Sequence, residues 1–304
     1  MTEQWFHPSG ALARGGWDAV VDDALPGWAH TGLRIGRLAP GDALELPAGG
    51  LERLLVPLAG AFEIELADAG SGDPTGGRVS LDGRTSPVAE ASDVLYLPVG
   101  RGATVRGAGR IAVAEAPARR ALPLRRIAAD EVPVELRGGG RASRLVRNFG
   151  VPGVLDADRL IVCEVVTPSG NWSSYPAHKH DEHVPGRESR LEEIYYFEAE
   201  ASPGAPEGAD AFGVFAASSS PADRIELDAR VRTGDIALVP YGYHGPAGAA
   251  PGSELYYLNV MAGPDPEREW LISDDPQQAW VRKQWPAEGI DPRLTARATE
   301  GPER

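Results

Sequence analysis

The chain has 304 residues, enough for two domains of about 150 residues, each with its own hydrophobic core. With 42% hydrophobic and 24% charged residues it reads as globular and not disordered. A formal net charge of −14 argues against nucleic acid or an anionic membrane as partner, because both would be repelled at long range. A small anionic substrate is still admitted if arginines or lysines line its pocket.

Taken in chain order, the N-terminal stretch Met1-Thr2-Glu3-Gln4-Trp5-Phe6 lacks a basic segment followed by an apolar one, and no run of about 18 apolar residues follows. The expectation is a cytoplasmic protein without a membrane partner. Short runs rich in Val, Leu, Ile and Tyr at 53–60, 93–98, 192–197 and 255–260 are separated by glycines and prolines. Such punctuation predicts an all-β sandwich or barrel.

An internal repeat organises these runs. Asp93-Val94-Leu95-Tyr96-Leu97-Pro98-Val99-Gly100 and Asp235-Ile236-Ala237-Leu238-Val239-Pro240-Tyr241-Gly242 share the pattern Asp-x4-Pro-x-Gly. Leu51-Glu52-Arg53-Leu54 and Leu191-Glu192-Glu193-Ile194 precede them by 42 and 44 residues. Earlier still, Arg37-Leu38-Ala39-Pro40 and Val165-Val166-Thr167-Pro168 each close a strand-like run. We read two copies of one β-domain, at 1–136 and 145–290, joined by the Gly/Arg-rich stretch 137–144 and followed by a fraying tail at 291–304. The lone Cys163 lies in the apolar run 160–166, so it reads as a buried strand residue and rules out an intramolecular disulfide.

Four of the six histidines fall in the second copy. In Pro176-Ala177-His178-Lys179-His180 the two imidazoles share one face of a strand, about 7 Å apart in Cα position and close enough to share an ion. Glu193 follows on the next predicted strand, and His244 follows the turn Pro240-Tyr241-Gly242-Tyr243. His-x-His, then Glu, then Gly234-x5-Pro240-x-Gly242 near a last His is the cupin signature. It makes His178, His180, Glu193 and His244 candidate ligands of one divalent metal, with Zn, Mn, Fe and Ni all suited to the donor set. His183 sits in the polar stretch 181–190 and reads as a solvated loop residue. The first copy has Arg53 and Gly102 where the second has Glu193 and His244, so it is expected to be metal-free.

Beyond this signature, Gly170-Asn171-Trp172-Ser173-Ser174-Tyr175-Pro176 running into His178-Lys179-His180-Asp181, with Leu191-Glu192-Glu193-Ile194-Tyr195-Tyr196, resembles the 5-deoxy-glucuronate isomerase family. Val239-Pro240-Tyr241-Gly242-Tyr243-His244 and Leu255-Tyr256-Tyr257-Leu258-Asn259-Val260-Met261-Ala262-Gly263-Pro264 resemble it too, and weaker matches extend over most of the chain. The resemblance implies a bicupin with one divalent metal, Zn first, in the C-terminal cupin. It also implies interconversion of 5-deoxy-glucuronate and 2-deoxy-5-keto-gluconate in myo-inositol catabolism. The twelve-residue gap between His180 and Glu193, and the single residue between Gly242 and His244, depart from the generic cupin but fit this family; Ala177 stands where the family more often has Pro.

Moving a proton between neighbouring carbons needs a shuttle, and Glu192, Tyr243 and Lys179 are the candidates. Strand alternation turns Glu192 and Lys179 away from the ligands. The substrate carboxylate calls for an arginine, with Arg187, Arg190 and Arg232 nearest in sequence; the first two would sit on a mobile loop at 181–190. Tyr195, two residues beyond Glu193, should face the barrel interior and offer a hydrogen bond to the sugar. An iron-dependent cupin dioxygenase is the rival enzyme, and a non-catalytic sugar-binding cupin the rival from another class. The expected partner is a small acidic sugar, and homo-oligomerisation is left open.

Overall fold

The continuously apolar runs are strands buried on both faces. The computed structural model describes residues 4–67 and 77–299. One sheet runs in the order Ala19–Val21, Gly32–Leu38, Ala103–Pro117, Leu51–Leu66, Val94–Leu97, Arg125–Ile127. A second runs Arg144–Gly150, Ile161–Thr167, Ser253–Ala262, Glu192–Ala201, Ile236–Val239, Phe6–His7, with Val134–Arg137 outside Arg144–Gly150. The orders correspond strand for strand, and Arg53 pairs with Leu97 as Glu193 pairs with Val239. Two copies of one antiparallel β-domain are present, as the repeat predicts.

Period-two alternation divides the residues of the first sheet between two interiors. Leu55, Leu95, Leu97, Ile111 and Val113 fill the N-terminal barrel. Their neighbours Leu54, Val56, Val94, Tyr96, Ala112 and Ala114 instead pack with Val162, Ile194, Tyr196 and Leu258 in a core shared with the second copy. A third sheet, Glu226–Val231, Gly213–Ser218, Tyr243–Ala249, His178–Lys179, Ser273–Asp274, closes the C-terminal barrel over the other face of the second sheet.

Three carboxylates buried between the copies, Glu52, Glu192 and Glu164, are each matched by several donors. Glu52 accepts backbone N–H bonds from Asp158, Arg159 and Leu160 at 2.8, 2.6 and 2.8 Å. Glu192, its equivalent in the repeat, accepts from Ala29, His30 and Thr31 at 3.0, 2.7 and 3.3 Å. Each glutamate thus holds the chain just ahead of the other copy's strand, Ile161–Thr167 or Gly32–Leu38. Glu164 binds Arg84 of the first copy through both oxygens, at 2.7 and 2.8 Å. It also accepts from Arg147 at 2.8 Å and from the Tyr256 hydroxyl at 3.0 Å.

Three boundaries differ from those expected from the sequence. Phe6–His7 pairs with Ile236–Val239, so the N-terminal residues belong to the C-terminal sheet. The stretch 137–144 is not a linker but the turn of a hairpin between Val134–Arg137 and Arg144–Gly150. The expected fraying tail is a helix over Pro292–Thr299 whose Leu294 is fully buried, while Asp291 and Arg293 bind Asn171. Residues 300–304 lie outside the described residues. No helix among the described residues is long and apolar enough to cross a membrane.

Burial would raise the Glu164 carboxyl, but Arg84 and Arg147 outweigh it and hold it below the ordinary value of 4.5. A depressed folded-state pKa contributes stability above the unfolded value, and that stability is lost as pH falls through the folded one. Glu164→Gln strands two buried guanidinium groups, so it should lower the unfolding free energy by about 3–5 kcal/mol in urea titrations at pH 7. The deficit should shrink as the pH of the titration is lowered below 4.5.

Candidate metal centre

Three elements bring the candidate ligands together. His178 lies directly across the strand pair from His244. Glu193 comes from the facing sheet, on Glu192–Ala201. The loop at 181–190 returns onto His180, where the Leu191 N–H donates to the His180 carbonyl at 2.8 Å and fixes the entry to the Glu193 strand. Gly245, the residue after His244, has φ +98°, and a Cβ there would stand 1.8 Å from the Ser174 carbonyl oxygen. Only glycine lets these two segments close.

The imidazoles are oriented by the backbone. Nδ1 of His178, His180 and His244 faces the carbonyl oxygens of Pro176, Leu191 and Gly242 at 3.4, 3.1 and 3.2 Å. A carbonyl only accepts, so each Nδ1 carries the proton and each Nε2 presents a lone pair. Nε2 of His180 and of His244 then meet the same Glu193 oxygen, at 2.9 and 3.0 Å. The His244 nitrogen is fully buried and lacks a hydrogen-bond partner. Two nitrogen lone pairs and a carboxylate oxygen converging this closely repel one another unless a cation stands among them. Their separations are those of neighbouring ligands about 2.1 Å from one ion.

Burial would raise the Glu193 carboxyl, and only positive charge at Nε2 of His180 and His244, from protons or from a cation in their place, holds it well below the usual range. Burial, with His244 alongside, pushes the His178 imidazole far below its ordinary value, so it is neutral. His180, Glu193 and His244 form the compact donor group. The His178 ring lies 4.5 Å from that of His244 and 6.3 Å from that of His180, on the side open to a pocket. In the first copy Arg53 takes the place of Glu193 and is buried against Glu115 at 2.7 Å.

The chain matches the KduI/IolB family over residues 5–281. It belongs to that family. Curated 5-deoxy-glucuronate isomerases from Geobacillus thermodenitrificans and Lacticaseibacillus casei are 37% and 34% identical to it. Those matches cover 84% and 83% of this chain and 87% and 88% of theirs. The crystal structure of an IolB-like protein from Salmonella typhimurium has a TM-score of 0.78 at 32% identity, covering 91% of this chain and 98% of that one. An oxalate decarboxylase from Lactobacillus farciminis, with a TM-score of 0.58 and 12% identity over 98% of this chain and 96% of its own, shares the fold alone.

Within this family member the structure directs all three shuttle candidates away from the ligands. The Glu192 carboxylate is held by residues 29–31 in the core between the copies. Lys179 is enclosed by Asp181, Glu182 and Glu188 at 2.6, 2.6 and 2.8 Å. Burial lowers its pKa, but the three carboxylates outweigh that and keep it above its usual range, so it stays charged. Tyr243 alternates to the face opposite His244, toward the charges of Lys179 and Asp181.

The arginine expectations need the same correction. Arg187 is exposed. Arg190 pairs with Asp265 at 2.9 Å, and Arg232 with Asp210 at 2.7 Å. The 181–190 loop is tied down by the Lys179 cluster and a Val184–Glu188 bridge. His183 is on its exposed side, 3.0 Å from Asp265.

Tyr195 does reach the interior, with its ring 6.0 Å from that of His244. Its hydroxyl lies 3.1 Å from Ser174 Oγ, which also lies 3.2 Å from the Tyr257 hydroxyl. Burial holds the Tyr195 phenol well above its usual pKa, so it donates and is not a base. Cys163 is buried, and burial raises its thiol pKa, as suits an inert strand residue.

What the sequence reading missed is a cavity of about 450 Å³ beside His178, lined by Arg137, Arg144 and Arg282 together with Trp270 and Asp274. The signal was present in Arg137 and Arg144 at the two ends of the Gly/Arg-rich stretch, but that stretch reads as a linker.

Two substitutions separate the roles of adjacent glutamates. Glu193→Ala should abolish stoichiometric divalent-metal uptake, measured by elemental analysis of untagged protein. Glu192→Ala should keep the metal while costing about 1–3 kcal/mol of stability, because three backbone N–H groups, that of Thr31 buried, lose their acceptor.

Proposed function

We propose that the protein is a metal-dependent aldose–ketose isomerase that interconverts 5-deoxy-glucuronate and 2-deoxy-5-keto-gluconate, a step of myo-inositol catabolism, in the cytoplasm. The observation that carries the reading is the convergence of His180, Glu193 and His244 beside an arginine-lined cavity, in a chain that shares most of its length with curated isomerases of that name. His178 joins them as the fourth ligand, since its Nδ1 is committed to a carbonyl and its ring abuts His244. The donor set of three imidazoles and one carboxylate suits Zn, Mn, Fe or Ni without choosing among them, and zinc is the ion proposed here.

Such an ion, when bound, supplies Lewis acidity to the oxygens of an enediolate. The chain's own residues do the rest. Backbone carbonyls hold the three histidine tautomers, and the Ser174–Tyr195–Tyr257 hydroxyl cluster offers donors to sugar oxygens. The arginine wall supports an acidic partner despite the chain's overall charge of −14, because short-range charge dominates inside a cavity.

The test supplies 5-deoxy-glucuronate to zinc-replete protein under anaerobic conditions and follows the ketose by proton NMR. Full conversion to equilibrium without oxygen is expected. No conversion, or oxygen uptake with an enediol substrate, would refute the isomerase reading and favour a dioxygenase.

A further inference from the structure

Arg137 and Arg144 stand directly opposite each other across the antiparallel pair Val134–Arg137 and Arg144–Gly150. Like charges in that register repel. A third guanidinium, Arg282, joins them at the same cavity. Two of the three are neutralised by the protein. Arg137 binds Glu135 at 3.0 and 2.6 Å, and Arg282 binds Asp274, with one bond at 2.6 Å. Arg144 differs. It is 5% exposed, its ring partner is Trp285 at 5.3 Å, and its only hydrogen bond among the described residues is to the Ala142 carbonyl at 3.0 Å.

A guanidinium has five N–H donors, and a buried one without a carboxylate is costly. The cavity therefore carries a surplus of one positive charge, placed on a side chain whose planar fork fits a carboxylate through two bonds. Burial, with Arg137 and Arg282 nearby, pulls the Arg144 pKa down to about 10, so it is still cationic at neutral pH. Two further features of the wall suit a sugar acid. Trp270 lines the cavity with an aromatic ring on which a sugar can pack, and His178 forms the wall on the side of His244.

We infer that Arg144 is the anchor for the substrate's carboxylate, so that an acidic sugar lies with its acid end on the 134–150 hairpin and its reacting end toward His178. The inference rests on the proposed isomerase reading for the identity of the sugar, but not for the preference for a carboxylate.

The test uses metal-replete full-length protein, with D-glucuronate and the neutral D-glucuronamide as probes in isothermal titration. The wild type should bind the acid more tightly than the amide by about tenfold or more. Arg144→Met should erase that preference and lower kcat/KM on 5-deoxy-glucuronate by about ten- to a hundredfold, mainly through KM. Arg144→Lys keeps the charge without the fork and should fall between the two. If Arg144→Met does not fold, the Lys variant decides alone, provided its melting temperature is that of the wild type.

An equal affinity for acid and amide in the wild type, or an undiminished acid preference and kcat/KM in the variants, overturns the anchor. The two readings fail separately. A wild type that prefers the acid but does not isomerise 5-deoxy-glucuronate leaves the anchor standing and removes the function. Isomerisation that is unimpaired in both variants does the reverse.

Discussion

A strand buried on both faces must assign each residue to one of two interiors, and strand Glu192–Ala201 meets that constraint at its first two positions. Glu193 enters the barrel with Tyr195, where the histidines are. Glu192 enters the core between the copies with Ile194 and Tyr196. A slip of one residue would exchange every member of the two sets. It would put Glu193 into the interface between the copies and Glu192 among the imidazoles. Register is therefore over-determined from both sides, and the candidate metal centre inherits its geometry from an interface that contains none of its donor residues.

Comparing the copies shows how little of the fold depends on chemistry at the centre. Strand order and pairing are the same, yet the first barrel has a buried Arg53–Glu115 pair where the second gathers donors around Glu193. Each arrangement satisfies a buried charge in its own way. What the copies have in common is the reciprocal pair Glu52 and Glu192, each accepting three backbone N–H groups from the other half. The repeat appears to the eye as a sequence pattern because these interface glutamates and the Asp-x4-Pro-x-Gly turns occur in both halves, while the centres have diverged.

The legible parts of the sequence were those governed by local rules. His-x-His on one strand face, Glu193 one strand on, and the glycine turn ahead of His244 all follow from spacing, and period-two alternation correctly turned Glu192 and Lys179 aside. Tertiary facts were not legible. Nothing local shows that Asp181, Glu182 and Glu188 would surround Lys179, or that Asp265 would engage Arg190. The run Gly138-Gly139-Gly140 has the composition of a flexible joint, but Gly138 is needed at φ +100°, where a Cβ would stand 2.0 Å from the Ala142 carbonyl oxygen in a tight hairpin. The C-terminal segment is polar enough to read as a tail, and one buried leucine, Leu294, anchors it.

The edge pairing of Phe6–His7 with Ile236–Val239 also bears on how the protein is made. The bond from the Ser9 amide to Asp235 beside this pair spans 226 positions. At ordinary synthesis rates, that interval is about 10 to 45 s. An unpaired edge of the sheet that carries Glu193 would be a template for association with other nascent chains. Here the sealing strand is already synthesised and tethered when that edge emerges, so closure is intramolecular and works at a high effective concentration.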